Sequence, residues 1–385
     1  MAIKNSGNSL AFSEIASEFG SPSGNNLGAY RVSETHGTLS NMPLDTNIPQ
    51  SGEIKFSQFY TKRLNIVVDF HSGGEEFRQN ARTDKYNASG SGGSSSGNWN
   101  VVGGFRNVPS DSGEAPTGGV RGKKVFINVN KTIGGESASN QQVCALRTGS
   151  WEADTQLTVD IGGSGRIFGA GGDGGKGKSK DFGGAAINGG DGNSGLGVEY
   201  NGTTVNVASG GIISCGYGGG GGGGTASNKD RGHPHRHGSG SGGGGGAGYP
   251  GGAGGEKTGT DGTGETGSDG TPGGLPDFSN SSQPTGGGRS GQVCFNSHWW
   301  EARGGLGGVG GPGAFQQFTS GDPGTFNTPG TYNSGPKSGI AGAKNGGGGG
   351  QPGSNGAGIR RTSGISVTIN NSGTITGGTN ATGVQ

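Results

Sequence analysis

Ten consecutive residues, Gly304-Gly305-Leu306-Gly307-Gly308-Val309-Gly310-Gly311-Pro312-Gly313, repeat Gly-Gly-X three times without error. A period of three fits neither a helix nor a strand, whose side chains return every ~3.6 or ~2.0 residues. It fits an extended polyproline-II-type helix, which has about 3 residues per turn and no internal hydrogen bonds. In that geometry Leu306, Val309 and Pro312 line one edge. Gly304, Gly305, Gly307, Gly308, Gly310 and Gly311 then form two bare edges and the core of a glycine helix. Bare edges let a neighbouring backbone approach closely enough for Cα–H···O contacts. These contribute only about 0.5–1 kcal/mol each, so such a helix is stable only among several others packed alongside. Further runs supply them: Gly169-Ala170-Gly171-Gly172-Asp173-Gly174-Gly175-Lys176-Gly177, Gly251-Gly252-Ala253-Gly254-Gly255-Glu256, the spaced Gly264, Gly267, Gly270 and Gly273, and pure glycine over 218–224, 242–246 and 346–350. A disordered glycine linker would also explain the composition, but the in-phase apolar residues favour ordered helices.

Glycine makes up 98 of 385 residues and only 26% are hydrophobic. Such a chain cannot bury a core in proportion to its length, and glycine loses the most backbone entropy on folding. Order must therefore come from backbone hydrogen bonds or from other copies, and a homo-oligomer, with a trimer favoured, is expected. The net charge of +1 gives no general attraction to nucleic acid. No apolar run approaches the ~20 residues of a membrane span, and the first residues lack the apolar segment of a signal peptide. Cys144, Cys215 and Cys294 are odd in number and far apart, which suits a reducing compartment better than a disulfide framework. The expectation is a part assembled inside a cell and used outside it.

Read in order, residues 1–61 carry more conventional patterning and predict a small N-terminal module. Ser13 can cap a short helix over 14–19 that Gly20 ends. The phrase Leu10-Ala11-Phe12-Ser13-Glu14-Ile15 returns as Ile54-Lys55-Phe56-Ser57-Gln58-Phe59. Leu64, Ile66, Val68 and Phe70 alternate as a strand, as do Val125, Ile127 and Val129. A template then recurs at Val159-x-Ile161-x-x-x-Gly165-x-Ile167, Val205-x-Val207-x-x-x-Gly211-x-Ile213 and Val367-x-Ile369-x-x-x-Gly373-x-Ile375. Each copy reads as two strand steps round a turn, too small to stand alone and suited to stacking in a β-prism or β-solenoid. The fold class is therefore mainly β with extensive polyproline-II-type glycine helices. Three domains are expected: the module over 1–61, a β-rich domain over 62–154, and a glycine-rich region over 155–385.

Ser13-Glu14-Ile15, Glu18-Phe19-Gly20, Leu27 with Tyr30, and Ile48-Pro49-x-Ser51-Gly52-x-Ile54-x-Phe56-Ser57-x-Phe59-Tyr60 together resemble the N-terminal segment of virion proteins of marine tailed bacteriophages, notably those infecting cyanobacteria. That segment precedes diverse C-terminal regions, which implies an attachment module contacting other virion proteins. Where the family usually reads Leu-Ser-x-Tyr-Tyr, this chain has Leu27-Gly28-Ala29-Tyr30. Ile369-Asn370-Asn371-Ser372-Gly373-Thr374-Ile375-x-Gly377-Gly378 is similar to a phrase of glycine-rich domains in phage tail fibres and tail-tip proteins. In the distal adhesins of some T-even-like phages, similar segments form a sandwich of polyglycine-type helices whose loops contact the host receptor. The resemblance implies a virion protein made in the host bacterial cytoplasm and acting extracellularly.

The insertions with most binding character are Asn296-Ser297-His298-Trp299-Trp300-Glu301 and the segment holding Phe315, Phe318, Phe326 and Tyr332. Aromatic faces beside polar groups suit a glycan or protein receptor; equally, Trp299 or Trp300 could fill volume that glycine cannot. His233, His235 and His237 alternate between two arginines, a pattern that on one strand face suits a transition metal, although a solvated loop is the simpler reading. No nucleophile elbow, phosphate loop or zinc-type cysteine pair is present. Asp173, Asp191, Asp261, Glu265 and Asp269 are scattered, so a glycosidase pair has little support, and no enzyme is expected. The favoured function is a tail-fibre or tail-tip adhesin, the alternative a purely structural fibre, collar or capsid-decoration protein. An antifreeze protein is disfavoured because the insertions are irregular.

Overall fold

A computed structural model describes residues 3–19, 26–30, 35–36, 39–40, 49, 52–62, 66–70, 75–85, 124–136, 140–177, 187–222, 226–228, 236–238, 242–256, 292–295, 298–301, 313–315, 330–333, 351 and 353–385. The fold is mainly β, with few helices and three five-stranded parallel sheets. The first sheet takes Ile66–Phe70, Lys124–Val129, Gln156–Ile161, Thr203–Val207 and Val367–Asn371. The second takes Glu76–Phe77, Thr132–Gly134, Arg166–Phe168, Ile212–Ser214 and Thr374–Thr376. The third takes Gln79–Asn80, Cys144–Arg147, Ser194–Val198, Ile359–Arg361 and Ala381–Thr382. The chain visits the three sheets in rotation, laying one strand on each per round, and every sheet draws strands from both sides of residue 155.

Strict register follows from the alternation in the recurring template. Val68, Ile127, Val159, Val205 and Ile369 pair in one column of the first sheet. Ile133, Ile167, Ile213 and Ile375 form the matching column of the second, and Leu146, Leu196 and Ile359 that of the third. All three columns belong to one core. At about 1.5–3 kcal/mol per buried branched side chain, concentrating a meagre apolar complement into these columns stabilises the stack. The template glycines sit at the corner between the first two sheets, where Ile212 N donates to Gly165 O at 3.0 Å and Thr374 N to Gly211 O at 2.9 Å. On the first sheet, Asn206 Nδ2 donates to Asp160 Oδ1 at 2.7 Å and Asn370 Nδ2 to Asn206 Oδ1 at 2.8 Å. Burial pushes the Asp160 carboxyl pKa upward against that hydrogen bond.

The last residues run back across the third sheet. Gly383 N donates to Arg361 O at 3.0 Å and Gln385 N to Gln142 O at 2.9 Å. A Cβ on Gly197 would come within 2.7 Å of Val384 Cγ1 and 2.9 Å of Cys144 Sγ, so the glycine makes room for this strap. Cys144 and Cys215 are buried free thiols, and loss of solvation pushes both up to about 12. Since the thiolate is the reacting species, neither should be alkylated by iodoacetamide at mildly alkaline pH until the protein is unfolded. Peptide mass mapping before and after denaturation checks this.

The N-terminal residues have a core of their own, Ile3, Ile15 and Phe59, flanked by Leu10, Phe12, Leu27 and Ile54. The helix spans Phe12–Phe19 and so starts ahead of the expected Ser13 cap. Its start is fixed by Glu14 Oε2, which accepts the Ala11 N–H at 2.7 Å. The returning phrase does the same at the short helix Phe56–Phe59, where Gln58 Oε1 accepts the Lys55 N–H at 2.6 Å. Both phrases thus build one half of a capping box. They also pack on each other: the Phe12 and Phe56 rings meet edge-on, with centroids 6.2 Å apart. Ile3 N to Lys62 O and Thr61 N to Ile3 O, both 3.1 Å, tie the two ends of this module together.

Candidate functional site

Two long excursions leave the stack at one corner. After Phe168 the chain quits the second sheet and rejoins the third at Ser194; after Ser214 it quits again and rejoins at Ile359. Among the described residues of these excursions lie six glycine-rich runs, in chain order 169–177, 187–193, 215–222, 242–248, 251–256, and 351 with 353–358. Their hydrogen bonds recur every third residue. The first run donates to the fifth from Gly171, Gly174 and Gly177, reaching Pro250 O, Ala253 O and Glu256 O at 2.9, 2.8 and 3.0 Å. It donates to the third from Gly172 and Gly175. The second run donates to the first from Ile187, Gly190 and Asn193, and toward the sixth from Gly189, Gly192 and the adjoining Gly195. The third donates to the second from Gly216, Gly219 and Gly222, and to the fourth from Tyr217 and Gly220. Fourth to first, fifth to fourth and sixth to third follow the same spacing.

These neighbour relations describe two layers of three: the fifth, first and second runs in one, the fourth, third and sixth in the other. Close approach requires glycine at the shared positions. A Cβ built on Gly172 would fall well under 3.0 Å from Gly190 O, and one on Gly246 equally close to Tyr217 O. In the first, second, fifth and sixth runs, non-glycine residues at the remaining positions add to the bonding. Asn188 Oδ1, Asp191 Oδ1 and Ser194 Oγ, spaced by three, accept the backbone N–H groups of Gln351, Ser354 and Ala357 at 2.8, 2.7 and 3.0 Å. Asp173 Oδ1 accepts from Ala253 N at 2.7 Å, and Lys176 pairs with Glu256 at 2.9 Å. Asp173 and Asp191 therefore hold backbone N–H groups between runs; Asp261, Glu265 and Asp269 lie outside the described residues. The regular Asn188, Asp191, Ser194 spacing was the available sequence signal for this ladder.

One end of the slab is fixed to the stack. Gly135 N donates to Tyr249 O at 2.8 Å, Tyr249 stacks on Phe77 with centroids 5.3 Å apart, and its hydroxyl donates to the Glu75 carboxylate. At the other end the bonded partners are Lys176 with Ile187, Gly177 with Glu256, Gly222 with Ile187, and Gly189 with Gln351. The described residues that flank 178–186, 223–241 and 257–350 therefore lie at that far end.

Most residues singled out in the sequence belong to these connections. His237 lies on Arg236–Gly238, paired antiparallel with Ala226–Asn228 and opposite Ser227. His298, Trp299 and Trp300 lie on His298–Glu301, paired with Gln292–Phe295: His298 opposite Phe295, Trp299 opposite Cys294, Trp300 opposite Val293. The two hairpins are neighbours, with Cα atoms within 8 Å. Phe315 and Tyr332 lie on a third antiparallel pair, Gly313–Phe315 with Gly330–Asn333. His233, His235, Phe318, Phe326 and the run from Gly304 to Gly311 lie outside the described residues. Among the described residues no cluster of His, Cys, Asp or Glu is placed to hold a metal ion, and no helix is long and apolar enough to cross a membrane. No protein-family model, curated protein or solved structure matches this chain.

Proposed function

We propose that this chain is a bacteriophage virion protein, a tail-fibre or tail-tip adhesin that binds a host cell-surface glycan or protein. In this reading the rotating sheets are a β-solenoid of the prism type, and the six runs are polyproline-II-type glycine helices. The module over 1–61 attaches to other virion proteins, as the phage resemblance of its phrases suggests. The observation that carries the adhesin reading is that the residues flanking 223–241 and 257–350, the two connections that bear the histidine and aromatic hairpins, lie together at the far end of one slab. Loops held at both ends by a bonded scaffold lose little freedom on binding, and such loops commonly carry recognition.

The adsorption assay tests the function. Aromatic anchors at an interface cost about 2 kcal/mol or more on truncation, and about 1.4 kcal/mol is tenfold in affinity. Particles carrying Trp299→Ala with Trp300→Ala should assemble normally and adsorb to host cells at least about tenfold less well. Unchanged adsorption with a lowered melting temperature would make these tryptophans packing residues and favour a purely structural fibre.

A further inference from the structure

The round of strands over 362–385 is less covered than the round before it. From Thr362 to Gln385 no residue is buried and no side chain is charged. Ile365, Val367, Ile369 and Ile375 continue the core only half-covered. One round earlier Val205 and Ile213 are both 0% exposed. The strands Val367–Asn371, Thr374–Thr376 and Ala381–Thr382 are each the last of their sheet, with one backbone edge unpaired among the described residues. Proteins blunt such edges with charges, proline or bulges, and stacked repeats cap their ends with polar residues. Residues 362–385 hold neither a charged side chain nor a proline, and the polar residues at their exposed positions, Thr368, Asn370 and Thr374 among them, are uncharged. The opposite end of the stack carries Asp69, Glu75, Glu76, Arg78, Arg82 and Asp84.

We infer that the last round of strands is the interface between two copies of this chain, joined end to end about a two-fold axis. The charge pattern selects that occupant. Two uncharged ends meet without like-charge repulsion, whereas a head-to-tail join would set this end against the charged first round. A two-fold axis through the first sheet runs Val367–Asn371 antiparallel to its own copy. Antiparallel edges pair through straight hydrogen bonds. Centring the pair on Ile369 keeps Val367 and Ile369 on the inner side in both copies and covers the half-buried isoleucines. The surface is then self-complementary, as an isologous contact requires. The inference does not depend on the loops binding a receptor, and it adds a factor of two to whatever other association the chain makes.

The test is the mass of the full-length protein by size-exclusion chromatography with light scattering. Thr368 and Thr374 are exposed on the terminal strands, so Thr368→Lys with Thr374→Lys should fold normally, as circular dichroism will show, and place like charges across the join. The wild type should have twice the mass of this variant. Thr368→Glu with Thr374→Glu should behave like the lysine variant, and mixing the two should restore the doubled mass. Equal masses for wild type and both variants would overturn the inference. A wild type that gains mass only when other virion proteins are added would overturn it too, by assigning the end to a different partner.

Discussion

Gly172→Val is expected to unfold the glycine slab. The added Cβ would fall well under 3.0 Å from Gly190 O and close to the Gly190 and Asp191 backbone, and a backbone cannot swing aside as a side chain can. Overpacking a dense interior costs about 1–3 kcal/mol. Here the second run must also move off the first, and each backbone hydrogen bond lost costs about 0.5–1.5 kcal/mol net. Ile187, Gly190 and Asn193 all donate across that seam, so the combined loss should be at least about 3 kcal/mol. Lys176→Ala is the control, because its pair with Glu256 is solvent-exposed, with side chains 42% and 75% accessible, and exposed pairs contribute about 0–1 kcal/mol. Thermal unfolding of the two variants should separate them widely. Comparable melting temperatures would mean that the runs do not depend on close backbone approach.

Removing residues 1–61 should abolish incorporation into particles while leaving the remainder folded. The cores explain the second half of that statement: Ile3, Ile15 and Phe59 form one cluster and the stacked columns another, with no residue in common. The proposed attachment role explains the first. Circular dichroism should show the strand content retained, and immunoblots of purified particles should show the truncated chain absent. Normal incorporation would move the attachment site elsewhere in the chain.

The sequence made some elements legible because their periodicity survives locally. The template at Val159, Val205 and Val367 repeats every core position of two strands and the corner glycine, so its strands could be read directly. Gly169 to Gly177 displays its period of three in the positions of Ala170, Asp173 and Lys176, and the hydrogen bonds keep that period. The third sheet was hidden. Ser194-Gly195-Leu196-Gly197-Val198 reads as more glycine tract, yet its glycines sit where Gly358 O, Cys144 and Val384 press on the strand. Ile359-Arg360-Arg361 is too short to show a strand's alternation, yet it forms a strand in which Arg360 is 7% exposed and its Nε donates to Ser194 Oγ at 3.0 Å. Both assignments depend on partners far along the chain, which no local window contains. The cap at Glu14 was missed for a different reason: Ser13 is a good capping residue, but Glu14 reaches back to Ala11 and the helix starts two residues earlier than expected. That the residues flanking the hairpin connections lie at one end of the slab was equally unreadable, since it follows from which runs bond to which.

The central claim is that the glycine runs form a rigid, hydrogen-bonded slab, and residue-resolved hydrogen exchange on the full-length protein tests it most directly. The account predicts that the amides of Gly172, Gly175, Gly219 and Gly246, each donated to a neighbouring run at 2.8–2.9 Å, exchange as slowly as those of Ile127 and Val159 in the stack. Exchange of these glycine amides at the rate of an unstructured glycine peptide, with the stack still protected, would contradict it.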